Sequence, residues 1–477
     1  MYRILPLLLA LCLSDSLQAT DKPNIVYIMA DELAYFELSH MGNKYLETPN
    51  IDRMAAEGIR FTQALAGAPV CAPTRCTLMS GKHSGHTSVR ANGGGTPMRA
   101  GETTIASMLK KLGYATGGFG KWGCGGRGST GVPEKLGFDI FLGYYDQVHA
   151  HSYYPPHIIR NSKEVPLEGN RGGRTGKTYS HYVIFNAAKK FIRDNAKKPF
   201  FCYLPITPPH DLYDIPESDP SWQHFKDKDW PGETRNYAAM VHMLDRQVGE
   251  VFALLKELDL EDNTLVFFCG DNGGSDRFRN NAHPRGFFSP NLNPRTGVGF
   301  RGGKGNLYEG GLRIPMLARW PGKIKPGSVN DQTICLNDLF ATCADILGAK
   351  LPGNAAEDSV SILPCLLGTA TGPVREATIH QAPGGLAIRQ GPWKLVSHRS
   401  GEQELFNLES DISETKNVAP ENPEVVKQLS ARHAAWARTL APLGKIPKVE
   451  RTGVRIPEGH GWAYAPVKKV DGQETAD

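Results

Sequence analysis

The stretch PVCAPTRCTLMSG, residues 69–81, concentrates side chains suited to chemistry. Cys71 and Cys76 stand five apart, with Pro73 and Arg75 between them. Proline favours the first turn of a helix and Gly81 stops one, so TRCTLMSG reads as helical. Cys71 then falls just before a helix N-terminus, where backbone N–H groups and the helix dipole favour an anion. Arg75, one turn on, offers a planar fork for an oxyanion. The two cysteine Cα atoms would lie roughly 7 Å or more apart along the axis, too far for an easy disulfide. A four-residue gap fits a zinc pair, but no second ligand pair accompanies it. Cys76 reads as a small buried hydrophobe.

Other reactive groups lie at the ends of apolar runs. NIVYIMA stops at Asp31-Glu32, and TLVFFCG stops at Asp271-Asn272. If both runs are buried strands, their ends offer hard oxygen ligands suited to Ca²⁺. FFCYLPIT leads to His210 in TPPHDLY, and YATGGFG leads to Lys121. Lys304 sits in RGGKGNLYEGG, where glycines let a backbone approach a ligand closely. YYDQVHAHSYYPP brings Gln147, His149 and His151 near one another. Each has a plainer reading: a solvated acidic loop, a surface lysine, histidines packing with Tyr153 and Tyr154.

These groups need elements to hold them. TPNIDRMAAEG carries Thr48 as a cap, Pro49 at the first helical position and Gly58 as a stop. TTIASMLKKLG and NYAAMVHMLDRQVGEVFALLKEL are amphipathic helices. Apolar strands alternating with helices predict an α/β domain, a large mostly parallel central sheet flanked by helices. Active sites in such sheets lie beyond the carboxyl ends of the strands, where Asp31-Glu32, His210 and Asp271-Asn272 fall. After about residue 370, LAIRQGPWKLVSH and QELFNLE read as short antiparallel strands, and NPEVVKQLSARHAAWARTL as a packing helix. The expected division is a catalytic domain over 20–370, a smaller C-terminal α+β subdomain over 371–447 and a polar tail over 448–477.

The chain has 477 residues, 40% hydrophobic and 22% charged, with a formal net charge of +5. No basic run is long enough to track a nucleic-acid backbone, so nucleic acid is not an expected partner. The N-terminus has Arg3, an apolar run from Ile4 to Leu13, then small and polar residues. That order predicts a signal peptide over 1–19. No later stretch is apolar and long enough to span a bilayer, so stable membrane insertion is not expected. Export to the periplasm or beyond follows, and the absence of any Asn-x-Ser/Thr sequon points to a bacterial source. Eight cysteines follow Cys12 with no CxxC pair, and a chain this long does not need disulfides.

Cys71-Ala72-Pro73-Thr74-Arg75 with Leu78 and Ser80-Gly81 resembles the signature of type I sulfatases, in the alkaline phosphatase superfamily. The likeness extends along nearly the whole mature chain. KPNIVYIMADEL resembles the family's opening strand, GYATGGFGKWGCGG its Gly-Lys-Trp segment, and VFFCGDNGG its second metal-ligand strand. AIRQGPWKLV and ELFNLESDISETKNVA resemble its C-terminal subdomain.

The resemblance implies that a maturation enzyme oxidises Cys71 to Cα-formylglycine, whose hydrate is the nucleophile. It implies Ca²⁺ held by Asp31, Glu32, Asp271, Asn272 and residue 71. Glu32 departs from the family's usual aspartate. It implies sulfate-binding roles for Arg75, Lys121 and Lys304, and contact between His210 and the ester oxygen. Gln147 falls near a family residue that touches sulfate. Gly123 stands where the family often has a histidine, and His149 or His151 is a candidate to replace it. His83 and His86 are expected just behind the site. The implied activity is hydrolysis of a sulfate monoester, with a sulfated carbohydrate or small molecule as substrate. Two alternatives remain: a phosphonate or phosphate ester hydrolase of the same superfamily, and a sulfated-glycan binding protein weakened by Gly123 and Glu32.

Overall fold

The computed structural model describes residues 22–440 apart from 93–95, 148, 277–280 and 354, together with the backbone of 453–455 and 462–464. The signal peptide expected over 1–19 and most of the tail expected over 448–477 lie outside the described residues.

Ten strands form one sheet. They are β1 Asn24–Ala30, β2 Ile59–Leu65, β3 Ala115–Lys121, β4 Ile140–Tyr144, β5 His157–Arg160, β6 Lys163–Pro166, β7 Phe200–Ile206, β8 Thr264–Gly270, β9 Met316–Arg319 and β10 Ser328–Cys335. Their order is β10-β2-β9-β8-β1-β7-β3-β4-β5-β6. The central run β8-β1-β7-β3-β4 is parallel throughout. Between β8 and β2 lies β9, antiparallel to both, and β5 and β6 close one edge as an antiparallel hairpin. The sheet is thus large and mostly parallel, as expected, with a reversed strand that the apolar pattern does not disclose.

Alternation along β1 explains the two-sided core. Ile25, Tyr27 and Met29 face a cluster that includes Cys76, Leu78, Leu109 and Phe340. Val26, Ile28 and Ala30 face another that includes Ile184, Tyr237 and Leu244. Side chains of a strand point to alternate faces, so a strand apolar at every position is covered on both. Full burial of one large apolar side chain contributes about 1.5–3 kcal/mol. Helix Gly232–Glu257 packs on the second face; helices Cys71–Ser80, Ile105–Lys111 and Leu339–Ile346 pack on the first.

A second sheet follows, with β11 Thr378–Ala382, β12 Gly385–Gln390, β13 Trp393–His398 and β14 Gln403–Asn407 in consecutive antiparallel order. Helix Pro423–Ala437 packs on it through Leu429 and Trp436. This is the antiparallel sheet plus helix expected after residue 370.

Buried charge ties this sheet to the rest. Glu309 bonds Arg313 and lies 3.1 Å from Lys394 Nζ and 3.5 Å from Arg389 Nη1. Lys394 also lies 2.8 Å from Glu414, whose Oε2 accepts from the Glu309 N–H. A second link joins His86 Nδ1 to Asp358 at 2.6 Å and His86 Nε2 to Thr439, with both His83 and His86 against Trp436. These two histidines serve that junction rather than standing behind the catalytic groups.

Candidate active site

Strand register decides where the site forms. Ala30 is level with Ile206 on one side and Gly270 on the other. The residues that leave β1, β7 and β8 therefore emerge together at the carboxyl edge. They carry Asp31-Glu32, the loop to His210, and Asp271-Asn272. β3 delivers Lys121 at its last position, paired in register with Tyr144.

The helix Cys71–Ser80 closes over this edge, with all ten residues buried. Val70 is its cap, so Cys71 is its first helical residue rather than the residue before it. Thr74 Oγ1 accepts from the Ala68 N–H and donates to the Ala68 carbonyl, pinning the loop that enters the helix. Asn92 Oδ1 accepts from the free N–H of Ala72. Gly81 ends the helix in the left-handed region, with φ +69°. Cys76 lies in the core, and all eight cysteines among the described residues are buried and unbridged.

The Cys71 thiol has no exposed surface and donates to Asp31 Oδ1 at 3.2 Å. Asp31 Oδ2 receives Lys121 Nζ at 2.5 Å and lies 3.4 Å from Arg75 Nη2. Arg75 donates to Asp271 Oδ2 at 2.8 Å and to the Lys121 carbonyl at 2.7 Å. Lys304 Nζ donates to Glu32 Oε2 at 2.6 Å and stands 3.0 Å from His210 Nε2. Its backbone is held by Gly274, and that of Gly305 by Pro69. Asp31, Cys71 and His210 bring one ligand-capable atom each within 4.8 Å of one another.

Electrostatics follows from charge packed into a dry site. Burial works to raise the Asp31 pKa, but Lys121, His210, Arg75 and Lys304 hold it well below the usual carboxylate range. Burial and the Asp31 charge beside it push Asp271 up. Lys304 is held well above its ordinary value: burial opposes this, and Cys71, Glu32 and Asp31 outweigh it. Burial and Lys304 also oppose protonation of His210, yet Asp211, with Oδ1 2.6 Å from Nδ1, and Asp31 hold it up to about 10.

The bonding of the strand-end oxygens suits a cation. Asn272 Oδ1 is buried and has no hydrogen-bond partner, a costly state unless something electropositive meets it. It stands beside two carboxylates on adjacent strand ends, a donor set that suits Ca²⁺. Glu32 differs: its carboxylate turns to Lys304, His210 and Arg285. Arg75 Nε is likewise buried without an acceptor, ready for an oxyanion.

Gln147 and His151 reach this centre; His149 turns elsewhere. A Cβ on Gly123 would stand 3.0 Å from Gln147 Oε1, 3.4 Å from Arg75 Cδ and 3.5 Å from Ala72 Cα. The Gln147 carboxamide therefore lies in the space a side chain at 123 would enter. His151 stacks on His210 with ring centroids 4.6 Å apart and planes at 14°. His149 packs against Tyr144 and His157, with Nε2 on the His157 carbonyl.

Three supporting residues escape sequence reasoning. Arg285 is buried and bonds Glu37, Tyr237 and the Glu32 carbonyl, fixing the turn after β1. Glu37 answers that charge. Asp211 was legible only as the neighbour of His210.

A buried thiol on a helix start, three cations and strand-end oxygens define an ester hydrolase built for a tetrahedral oxyanion. The chain belongs to the sulfatase family, whose model matches residues 23–349. The model for the C-terminal region of N-sulphoglucosamine sulphohydrolase matches residues 302–438. The N-acetylgalactosamine-6-O-sulfatase of Bacteroides thetaiotaomicron is 30% identical over 90% of this chain and 97% of its own. Human arylsulfatase A is 30% identical over 89% of each chain. Among solved structures, Ps i-CgsB in complex with k-i-k-neocarrahexaose has a TM-score of 0.77 at 26% identity, covering 90% of this chain and 95% of that one. The protein is a sulfuric ester hydrolase.

Proposed function

We propose that this sulfatase removes sulfate from carbohydrates, with residue 71 in the formylglycine form and Ca²⁺ at Asp31, Asp271 and Asn272, joined by Glu32 and residue 71. The observation that carries the reading is the Cys71 thiol, buried at a helix start within 3.2 Å of Asp31 and ringed by Arg75, Lys121, Lys304 and His210. As its hydrate, formylglycine supplies a hydroxyl nucleophile and a second hydroxyl that a thiol lacks. Ca²⁺ at these oxygens supplies positive charge against the sulfate.

The remaining work belongs to side chains. Arg75, Lys121 and Lys304 face the charge that grows on the equatorial oxygens. His210, held protonated by Asp211 against burial and the neighbouring Lys304 charge, gives its Nε2 proton to the departing alcohol. Gln147 contacts sulfate. A carbohydrate substrate accords with the relatives named for N-acetylgalactosamine-6-sulfate and with the neocarrahexaose complex. A signal peptide over 1–19 accords with export, and among the described residues no helix is long and apolar enough to cross a membrane.

The test begins with the peptide containing Cys71, from protein made with a formylglycine-generating enzyme. A loss of roughly 18 Da from cysteine marks the aldehyde. Sulfated sugars and matched phosphate and phosphonate esters are then compared; faster turnover of the phosphorus esters would overturn the assignment. Cys71→Ser, which lacks the second hydroxyl, should be nearly inactive yet folded.

A further inference from the structure

Away from residue 71, a cavity of about 920 Å³ opens between the edge of the main sheet and the C-terminal sheet. Thr62 and Gln63 of β2 and Thr333 of β10 line one side, and Arg389 and Gln390, the last residues of β12, line another. None of the groups gathered around residue 71 borders it. A cavity of this size takes a disaccharide-sized ligand, which such sites fix with a few placed polar groups. Two polar groups here are unmet. Arg389 is more than nine-tenths buried; its Nη2 donates to Gln63 Oε1, and its Nε has no acceptor among the described residues. Gln390 Oε1 is enclosed and has no donor among them. Enclosed polar atoms without partners are costly, and a ligand that meets both relieves the cost.

Charge points the same way. Arg313 takes Glu309, and Lys394 lies between Glu309 and Glu414. Arg389, 3.5 Å from Glu309, is therefore the third cation on two carboxylates. Burial pushes its pKa down to about 10, with Arg313 adding to the effect and Glu309 and Glu414 opposing it. The other arginines of the cavity are matched, Arg375 by Asp338 and Arg432 by Glu376. The remaining acids that line it, Asp331 and Glu409, are exposed to solvent. We propose that this cavity is a second binding site, for a sulfated sugar unit, with its sulfate on Arg389 and a sugar hydroxyl on Gln390. A bare sulfate ion answers the arginine alone, because it has no hydrogen to give Gln390 Oε1. A sulfated sugar carries both groups. This rests on the carbohydrate reading above and adds to it: the protein holds a sulfated chain at a point other than the bond it cuts.

The test uses the full chain with unconverted Cys71, so that no ester is turned over. The probes are a disaccharide containing N-acetylgalactosamine-6-sulfate, its desulfated form and sodium sulfate. Titration calorimetry should show two disaccharides bound to the parent, one at each site. Arg389→Gln removes an uncompensated buried charge and should weaken the cavity site by about 10–100-fold. Gln390→Leu leaves every ion pair in place and should weaken it by about 3–10-fold. The desulfated disaccharide should bind the parent's cavity no better than the sulfated one binds that of Arg389→Gln. If the carbohydrate reading of the catalytic centre fails, the parent binds one disaccharide and Arg389→Gln still loses it. Disaccharide binding unchanged in both variants overturns the proposal. So does a result in which sodium sulfate alone depends on Arg389, which would reduce the cavity to an ion site.

Discussion

Arg75 shows how much one side chain organises. It is wholly buried, and its fork reaches the Lys121 carbonyl, Asp271 and Asp31 at once. A lysine presents a point charge and cannot hold that geometry. Arg75→Lys should therefore lower kcat by about 10²–10³-fold. Steady-state kinetics on converted protein would reveal it, and a change under fivefold would mean the fork is dispensable. At this scale the sequence is informative where residue types are rare and their spacing is constrained. Cys71, Arg75 and the acidic pairs after apolar runs stand out for that reason. Arg285 does not: in HPRGFF it looks like any surface cation, because its burial depends on Glu37 and Tyr237 arriving from distant parts of the chain. His149 and His151 look alike in sequence, and only packing separates the ring on a carbonyl from the ring on His210.

At the scale of elements, the helix Cys71–Ser80 is held at both ends. Thr74 and Asn92 secure its start, and Gly81 releases the chain in a conformation that other residues adopt at a cost. A Cβ at Gly81 would also come within 2.7 Å of Ala356 Cβ and 2.9 Å of Phe340 Cβ. Gly81→Ala should cost about 1–3 kcal/mol, read as a lower midpoint in denaturant unfolding. An unchanged midpoint would show that the junction yields more than its packing implies. The helix and the parallel strands were legible from apolar runs and stop signals. The reversal of β9 was not. Met316–Arg319 is buried along its whole length, and strand direction is set by how the chain returns to the sheet rather than by composition.

The whole molecule is joined by buried charge, and its response to pH should show it. Lys394 from β13 lies between Glu309 and Glu414, both fully enclosed. Lys394→Met strands two carboxylates and should cost about 3–5 kcal/mol, seen as loss of soluble protein or a much lower Tm. Lys394→Arg should recover part of it. Histidines set the acid limit. Burial drives His83 and His181 down to about 4, and His149 and His380 down to about 3, from an ordinary 6.5. Below pH 6.5 the unfolded chain takes up protons that these rings refuse in the folded state. Stability is therefore intact above that pH and falls as acid approaches their folded values, by about 1.4 kcal/mol per pH unit for each histidine. Calorimetry from pH 7 to 4.5 should show a steep fall in Tm, and His181→Gln a shallower one.

The complete burial of residue 71 also sets an order in time. No enzyme reaches a side chain with no surface, inside a helix whose every residue is covered. Any chemical alteration of that thiol belongs to the interval between synthesis and folding. A chain that folds first keeps its cysteine for as long as it stays folded. Under the proposed formylglycine mechanism, the working fraction of the protein is thus decided early and once per molecule, by a race between a modifying enzyme and the closing of one ten-residue helix.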